Sequence, residues 1–512
     1  MKISSMKLKN FRGYKNQIEI DFDNLTVFVG RNDIGKSTIL EALDIFFNDL
    51  NAVNKIEKAD VNVDERKNNN LETIISVCFK DFPNEIIIDS TSKTTLENEF
   101  LLNKDRELEI IKKYKDGGKP KIYIKAFHPT NENCADLLLK KNTSLKKIID
   151  THNIECNNLT SNSDLRSSIW DYFSDNLQLK EVEIDITKED AKNIWTKLST
   201  YLPIYSLFQS DRKNSDSDSE IQDPLKSAVK EILKDQRLQK KLEEVAEEVS
   251  KKLKDVSVRT LDKLKEMDEN IASSLNPKIP QVAELKWNDV FKNVSITGDE
   301  GIPINKRGSG VKRLVLLNFF RAEAERKYTD NESEGIIYAI EEPETSQHTA
   351  NQKLLIDSFK SLSQNSNTQI LLTTHSPNIV KRLNFKSLRL VMSDIQSTQK
   401  IIKKVEKGQL KYPSLNEVNY LAFGEISEEY HNELYSFIEY SKLLSEYKKT
   451  KPTMKYIYEN RNGKLVEDQK VLSEYIRHQI HHPENKHNTH YTEVQLKQSI
   501  TEMRSFISEK IL

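Results

Sequence analysis

Eight residues, Gly30-Arg31-Asn32-Asp33-Ile34-Gly35-Lys36-Ser37, have the types and spacing to hold a phosphate chain. The two glycines let the backbone curl so that successive N–H groups point inward at phosphate oxygens. Lys36 would reach the β- and γ-phosphates, and the Ser37 hydroxyl would hold Mg²⁺. An apolar run, Asn24-Leu25-Thr26-Val27-Phe28-Val29, precedes the loop and reads as a buried strand, while Ser37 to Phe47 repeats at helical spacing. Strand, glycine loop and helix in that order make a P-loop, with a helix N-terminus behind the phosphates. The segment predicts a nucleoside triphosphate as ligand, with Gly30, Asn32, Gly35, Lys36, Ser37 and Thr38 as its contacts.

A second concentration of chemistry lies near the end of the chain, where five of the ten histidines fall between Tyr475 and Tyr491. His478, His481 and His482 stand at i, i+3 and i+4, one face of a helix, a spacing open to a metal. His482-Pro483 is equally an ordinary way to close a helix. In a third reading, Arg477-His478-x-x-x-His482 resembles the R-[N/D/H]-x₃₋₅-H motif of HEPN domains, helical bundles that often cut RNA without metal. Histidine near neutrality can take the ribose 2′-OH proton and return one to the leaving oxygen. Arginine can neutralise the charge that builds on the phosphorane. The resemblance implies Arg477 and His482 as catalytic residues, in a site assembled from two copies.

Composition narrows the classes. At 512 residues the chain can hold two to four domains. A net charge of −1 gives no global basic field, so any nucleic-acid contact must be a local patch. Cys78, Cys134 and Cys156 are far apart without metal spacing, which fits a reducing cytosol. No run approaches the roughly eighteen apolar residues of a membrane span, and no leader pattern is present. A cytoplasmic protein is expected.

The elements that would position this chemistry alternate in type. Met1 to Asp23 reads as two strands joined around Asn10-Phe11-Arg12-Gly13-Tyr14. Leu71 to Lys80, Glu85 to Asp89, Lys121 to Phe127 and Leu202 to Phe208 read as further strands, with a helical, polar stretch at about 135–200 anchored by Trp170 and Trp195. Pro224 to about Ser274 is Lys-, Glu- and Leu-rich at helical spacing, an arm of about 75 Å if one helix and half that as a hairpin. Ordinary surface helices fit that pattern as well. Arg307-Gly308-Ser309-Gly310 runs into a predicted helix, Gly335 to Ile340 is an apolar strand ending in Glu341-Glu342-Pro343-Glu344, and Gln369 to Thr373 is a strand ending in Thr374-His375-Ser376-Pro377.

These pieces stand in the order and register of ABC-type ATPases, and from Met1 to about Val405 the chain resembles their cytosolic SMC, RecF and OLD branch. The resemblance implies that Glu341 holds the Mg²⁺ shell, Glu342 orients or deprotonates the attacking water, and His375 contacts the γ-phosphate. It implies that Phe11 and Arg12 contact base and phosphates, that Gln209, with Gln222 as rival, is the Q-loop glutamine, and that Ser309 and Gly310 of one copy close over ATP held by another. The expected fold is α/β: an ABC-ATPase head with mixed sheets and P-loop, an inserted helical arm and an all-helical C-terminal domain. The expected domains are lobe I at 1–210, the arm at 211–280, lobe II at 281–410 and the HEPN-like domain at 411–512.

Stand-alone ATPases of this kind, similar to the Septu ATPase PtuA, to retron-associated ATPases and to the PrrC and RloC nucleases, belong largely to anti-phage systems. The resemblance therefore implies a homodimer or higher oligomer sealed by ATP, acting on tRNA, other RNA or DNA. The nuclease would be the chain's own HEPN-like site, or a partner such as a PtuB-like HNH nuclease or retron component. No TOPRIM acidic set follows His375, so an OLD- or Gabija-type nuclease domain is not expected here. A RecF- or SMC-like DNA clamp without nuclease is the alternative.

Overall fold

The computed structural model describes residues 1–49, 52–88, 92–188, 191–209, 236–267, 335–345, 348–394, 399–405, 409–411 and 414–510. Contacts divide the chain into two compact units, one of Met1–Ser210 with Glu323–Leu512 and one of Asp211–Ala322.

In the first unit the chain opens with β1 (Lys2–Lys9) and β2 (Ile18–Asp21), an antiparallel pair around the expected turn. Next comes β3 (Leu25–Val29), buried at all five positions, and then α1 (Lys36–Asn48). After α2 (Val63–Lys67) the strands β4 (Glu72–Lys80), β5 (Leu108–Lys115) and β6 (Pro120–His128) form a meander. Helices α3 (Asn142–His152) and α4 (Asn162–Tyr172), strand β7 (Lys180–Asp185), helix α5 (Ala191–Leu198) and strand β8 (Ile204–Phe208) follow. The 135–200 stretch is thus not wholly helical. Lys180–Asp185 alternates charged and apolar residues and adds an antiparallel edge strand to β6. The strand expected at Glu85–Asp89 is reduced to a single bridge, Ile86 to Thr94.

The first sheet runs β2-β1-β4-β5-β6-β7 and is antiparallel throughout. The second is mixed and draws on both halves of the chain. It takes β3 and β8 from the first half, and from the second β9 (Ile336–Glu341), β10 (Thr368–Thr374), β11 (Leu388–Ser393) and β12 (Lys400–Lys404), in the order β12-β11-β3-β10-β9-β8. Its inner strands are parallel and buried along nearly all their length, as a sheet covered on both faces requires. Helix α1 packs on β8 and β10 of this sheet and on β4 of the other. Ile39, Leu40, Leu43 and Phe46 of α1 lie in one core with Ile75, Val77, Leu371 and Ala339 from the two sheets.

The second unit is represented by α6 (Gln236–Met267), 32 residues within the stretch read as an arm. At 1.5 Å per residue it is about 48 Å long. Back in the first unit, α7 (Thr349–Leu362) connects β9 to β10, and α8 (Pro377–Val380) follows β10.

The C-terminal segment has α9 (Leu415–Phe423), α10 (Glu428–Tyr440), α11 (Leu444–Lys449), β13 (Thr453–Glu459), β14 (Leu465–Val471), α12 (Leu472–His481) and α13 (Glu493–Lys510). Ser414 and Ser427 cap α9 and α10 through their hydroxyls, and Gly424 ends α9 in the left-handed conformation. Tyr430, Leu434, Ile438, Ile476, Ile500 and Met503 build a separate core. The all-helical expectation needs correcting: β13 and β14 pair as an antiparallel hairpin beside α12. Among the described residues no helix is long and apolar enough to cross a membrane.

Candidate nucleotide site

Strand register brings the predicted chemistry to one edge. In the second sheet Thr374 of β10 pairs with Val29 of β3, and Thr373 pairs with Glu341 of β9. The loop after β3, the acids after β9 and the histidine after β10 therefore leave the sheet at the same carboxyl end, where open α/β sheets bind ligands. Gln209 follows β8 at that end too, since Phe208 pairs with Ile340.

Both P-loop glycines are required by their surroundings. A methyl built on Gly30 would lie 2.6 Å from the Val391 carbonyl oxygen, and Gly35 has φ +105°. Gly35 caps α1 without any side-chain hydrogen bond, and the first turn holds no acid. The helix N-terminus is thus left open to an anion. The Lys36 ammonium is buried and donates to the carbonyls of Gly30 and Arg31 at 2.9 and 2.8 Å. Burial lowers its pKa, while Glu342, Glu344 and Asp33 pull it back up. Ser37 and Thr38 sit half-buried in the first turn, and Asn32 is exposed at the loop tip.

Glu341 is the last residue of β9 and is buried. Glu342 turns the chain with φ +40°, in a region that non-glycine residues occupy at a cost, and its N–H donates to the Thr373 carbonyl at 3.1 Å. Its Oε1 lies 3.1 Å from His375 Nδ1. Glu344, which carries no role in the sequence reading, folds back beneath this pair. Its Oε1 accepts from Thr374 Oγ1 at 2.5 Å and from the His375 N–H at 3.2 Å. The clue was its place two residues beyond the Glu-Glu pair at the end of an apolar strand.

Other expected contacts fall differently. Phe11 is fully buried in the core, so its ring cannot stack on a base. Arg12 is held by Asp60 at 2.7 Å and by Glu41 at 2.8 Å, which places it beside α1. Ser309, Gly310 and Gln222 lie outside the described residues.

Residues 1–380 match the AAA ATPase domain family. The chain belongs to that family. As a member of that family it carries an ATPase domain, and the glycine cradle, open helix end and buried lysine fit a nucleotide. It is 23% identical over 425 residues to "Endonuclease GajA" of Bacillus cereus (strain HuB5-5), a match covering 74% of this chain and 56% of that protein. The protein of the same name from Bacillus cereus (strain VD045) is 22% identical over 406 residues, covering 78% and 59%. The chain spans little more than half the length of these relatives. Solved structures similar to this ATPase include an SMC head domain from Thermotoga maritima, at 14% identity and TM-score 0.32, covering 80% of this chain and 100% of that one. Another is an SMC head with an extended coiled coil, bound to the C-terminal domain of ScpA, from Pyrococcus furiosus (13%, TM-score 0.34, covering 78% and 95%).

The C-terminal histidines form a separate constellation. A cavity of about 430 Å³ opens between the hairpin and α12, lined by Tyr456, Tyr458, Lys470, His478, His482 and Glu484 among others. His478 lies at ring-centroid distances of 5.2 Å from Tyr456 and 6.1 Å from His482, and His482 Nδ1 is 3.1 Å from Glu484 Oε1. Burial lowers the His478 pKa. Arg477 points elsewhere, 4.3 Å over the Tyr435 ring and 3.5 Å from Glu439, both on α10. Within one chain the structure does not bring Arg477 and His482 together. Five residues at 100° each set their side chains about 140° apart around the helix. Among the described residues no group of histidines, cysteines and acids is placed to hold a metal.

Proposed function

We propose that this AAA-family ATPase is the nucleotide-gated component of an anti-phage defence system, in which an ATP-dependent dimer controls a nuclease. The observation that carries the reading is the shared carboxyl edge of β3, β9 and β10, which gathers a P-loop, an acidic pair and a histidine from three distant segments. Likeness to proteins named as endonucleases and the motif order set out above support the nuclease link.

The residues divide the work. Backbone N–H groups from Gly30 to Thr38, with Lys36, would bind the triphosphate. Ser37 and the buried Glu341 would hold Mg²⁺, which neutralises phosphoryl charge when bound. Glu342 would take the proton of the attacking water and His375 would position the γ-phosphate. Ser309 and Gly310 of a second copy would complete the site, and Gln209 would report its occupancy. The controlled nuclease is either the chain's own HEPN-like site or a PtuB-like HNH or retron partner.

Glu342→Gln tests the reading. Hydrolysis should fall by at least about 100-fold, while ATP produces a dimer that persists in light scattering, and Lys36→Ala should lose both. Wild-type turnover in Glu342→Gln would remove that residue as the base. A salt-sensitive, ATP-dependent grip on duplex DNA with no nuclease would favour the RecF/SMC-like clamp instead.

A further inference from the structure

Lys400 belongs to none of the motifs above, yet it lies against the P-loop. It is the first residue of β12, paired to Ser393 of β11. β12 also approaches β2 of the other sheet, and Asn16 Nδ2 donates to Gln399 Oε1 at 2.7 Å. The Lys400 side chain consequently reaches across two glycines. A methyl built on Gly13 would lie 2.5 Å from both Cε and Nζ, and one built on Gly35 would lie 3.1 Å from Nζ. The ammonium stands 5.9 Å from the centre of the Tyr14 ring, whose hydroxyl donates to the Gly35 carbonyl at 3.0 Å. Gly13, Tyr14 and Gly35 therefore form a seat for this one cation.

Its electrostatic setting is unfavourable without a ligand. Among the described residues no carboxylate lies within ion-pair distance of Lys400. Burial lowers its pKa, and the opposing pull comes from Asp33 on the P-loop. The seat adjoins the N-terminus of α1, where the helix dipole is positive, and Lys36 adds another buried ammonium to the same loop. A half-desolvated cation beside a positive helix end is repelled unless an anion comes between them.

We infer that Lys400 is a second phosphate-binding lysine of this ATP site, contributed by β12 and closing over the triphosphate chain from the side opposite Glu342 in the sheet order. It would be a specificity-determining contact, favouring nucleotides rich in phosphate over the nucleoside. The inference rests on the family's ATP site being the P-loop. Lys36→Ala is the control, because a wild-type chain that fails to bind ATP would bring down the site itself.

The experiment measures binding of a fluorescent ATP analogue to the full chain, displaced by ATP, ADP or AMP. Lys400→Met keeps the aliphatic stem and removes the charge. It should weaken ATP about tenfold and AMP less, while the nucleotide-free chain unfolds where the wild type does. Lys400→Arg should recover most of the affinity. Lys400→Met with wild-type affinity, or Lys400→Arg no better than Lys400→Met, would overturn the assignment. Amine-reactive labelling of the unmutated chain is independent of any folding defect: ATP should slow modification of Lys400, and unchanged labelling would also overturn it.

Discussion

Two hydrogen bonds converge on one oxygen of Glu344, from the Thr374 hydroxyl and the His375 backbone, so this acid fixes where the histidine leaves β10. Burial raises its pKa more than those bonds lower it. As pH rises through the ordinary carboxylate range, the unfolded chain ionises Glu344 first and the folded chain lags. The folded state then binds the extra proton, and stability falls with rising pH until Glu344 ionises in the fold as well. Glu344→Gln keeps an acceptor oxygen and removes the charge. Its unfolding temperature should exceed the wild type's at pH 7.5, and the difference should vanish below about pH 4. Glu344→Ala should cost about 1–3 kcal/mol below about pH 4, because Thr374 and the His375 N–H lose their acceptor, and less at pH 7.5. A Glu344→Gln variant less stable than wild type at pH 7.5 would mean that the carboxylate is a stabilising anion.

The elements that carry the nucleotide site were legible because they are buried on both faces. β3, β9 and β10 are apolar runs, each ending in polar residues with evident chemistry. Strands with one exposed, charged face were harder to read: β7 is Lys-Glu-Val-Glu-Ile-Asp, and β14 is Leu-Val-Glu-Asp-Gln-Lys-Val. The signal for the hairpin was Asn462-Gly463 at its tip, where Gly463 takes φ +73° as a tight turn demands. Missing it hid the surface that α12 faces, so the Arg477–His482 spacing read as one site when the two side chains serve different neighbours. A catalytic pairing of the two then needs a second chain. Replacing both by alanine should abolish RNA cleavage or toxicity on triggering and leave ATP turnover intact. Arg477→Ala alone should also cost about 0.5–1 kcal/mol from its contact over Tyr435, whereas His482→Ala, at an exposed position, should not. Undiminished cleavage by the double variant would exclude the pairing.

The head and the C-terminal segment meet beside the P-loop. A methyl built on Gly424, the residue that ends α9, would lie 2.9 Å from Nη2 of Arg31 at the loop's tip. The same helix packs on β11 and on α8, which begins two residues after His375. One C-terminal element thus touches both the candidate phosphate loop and the turn that follows the candidate γ-phosphate histidine. Ligand binding that orders either one will be felt at α9, because a packed helix end shifts as a unit. With Glu342→Gln to prevent turnover, ATP should slow amide exchange in α9 as well as in the P-loop. Arg31→Ala removes the contact with Gly424 but not the backbone carbonyl that Lys36 uses. That variant should still bind ATP and protect the P-loop while losing the protection of α9. Equal protection of α9 with and without Arg31 would place the route through α8, and protection of the P-loop alone in the parent would mean that nucleotide state never reaches the C-terminal segment by this contact.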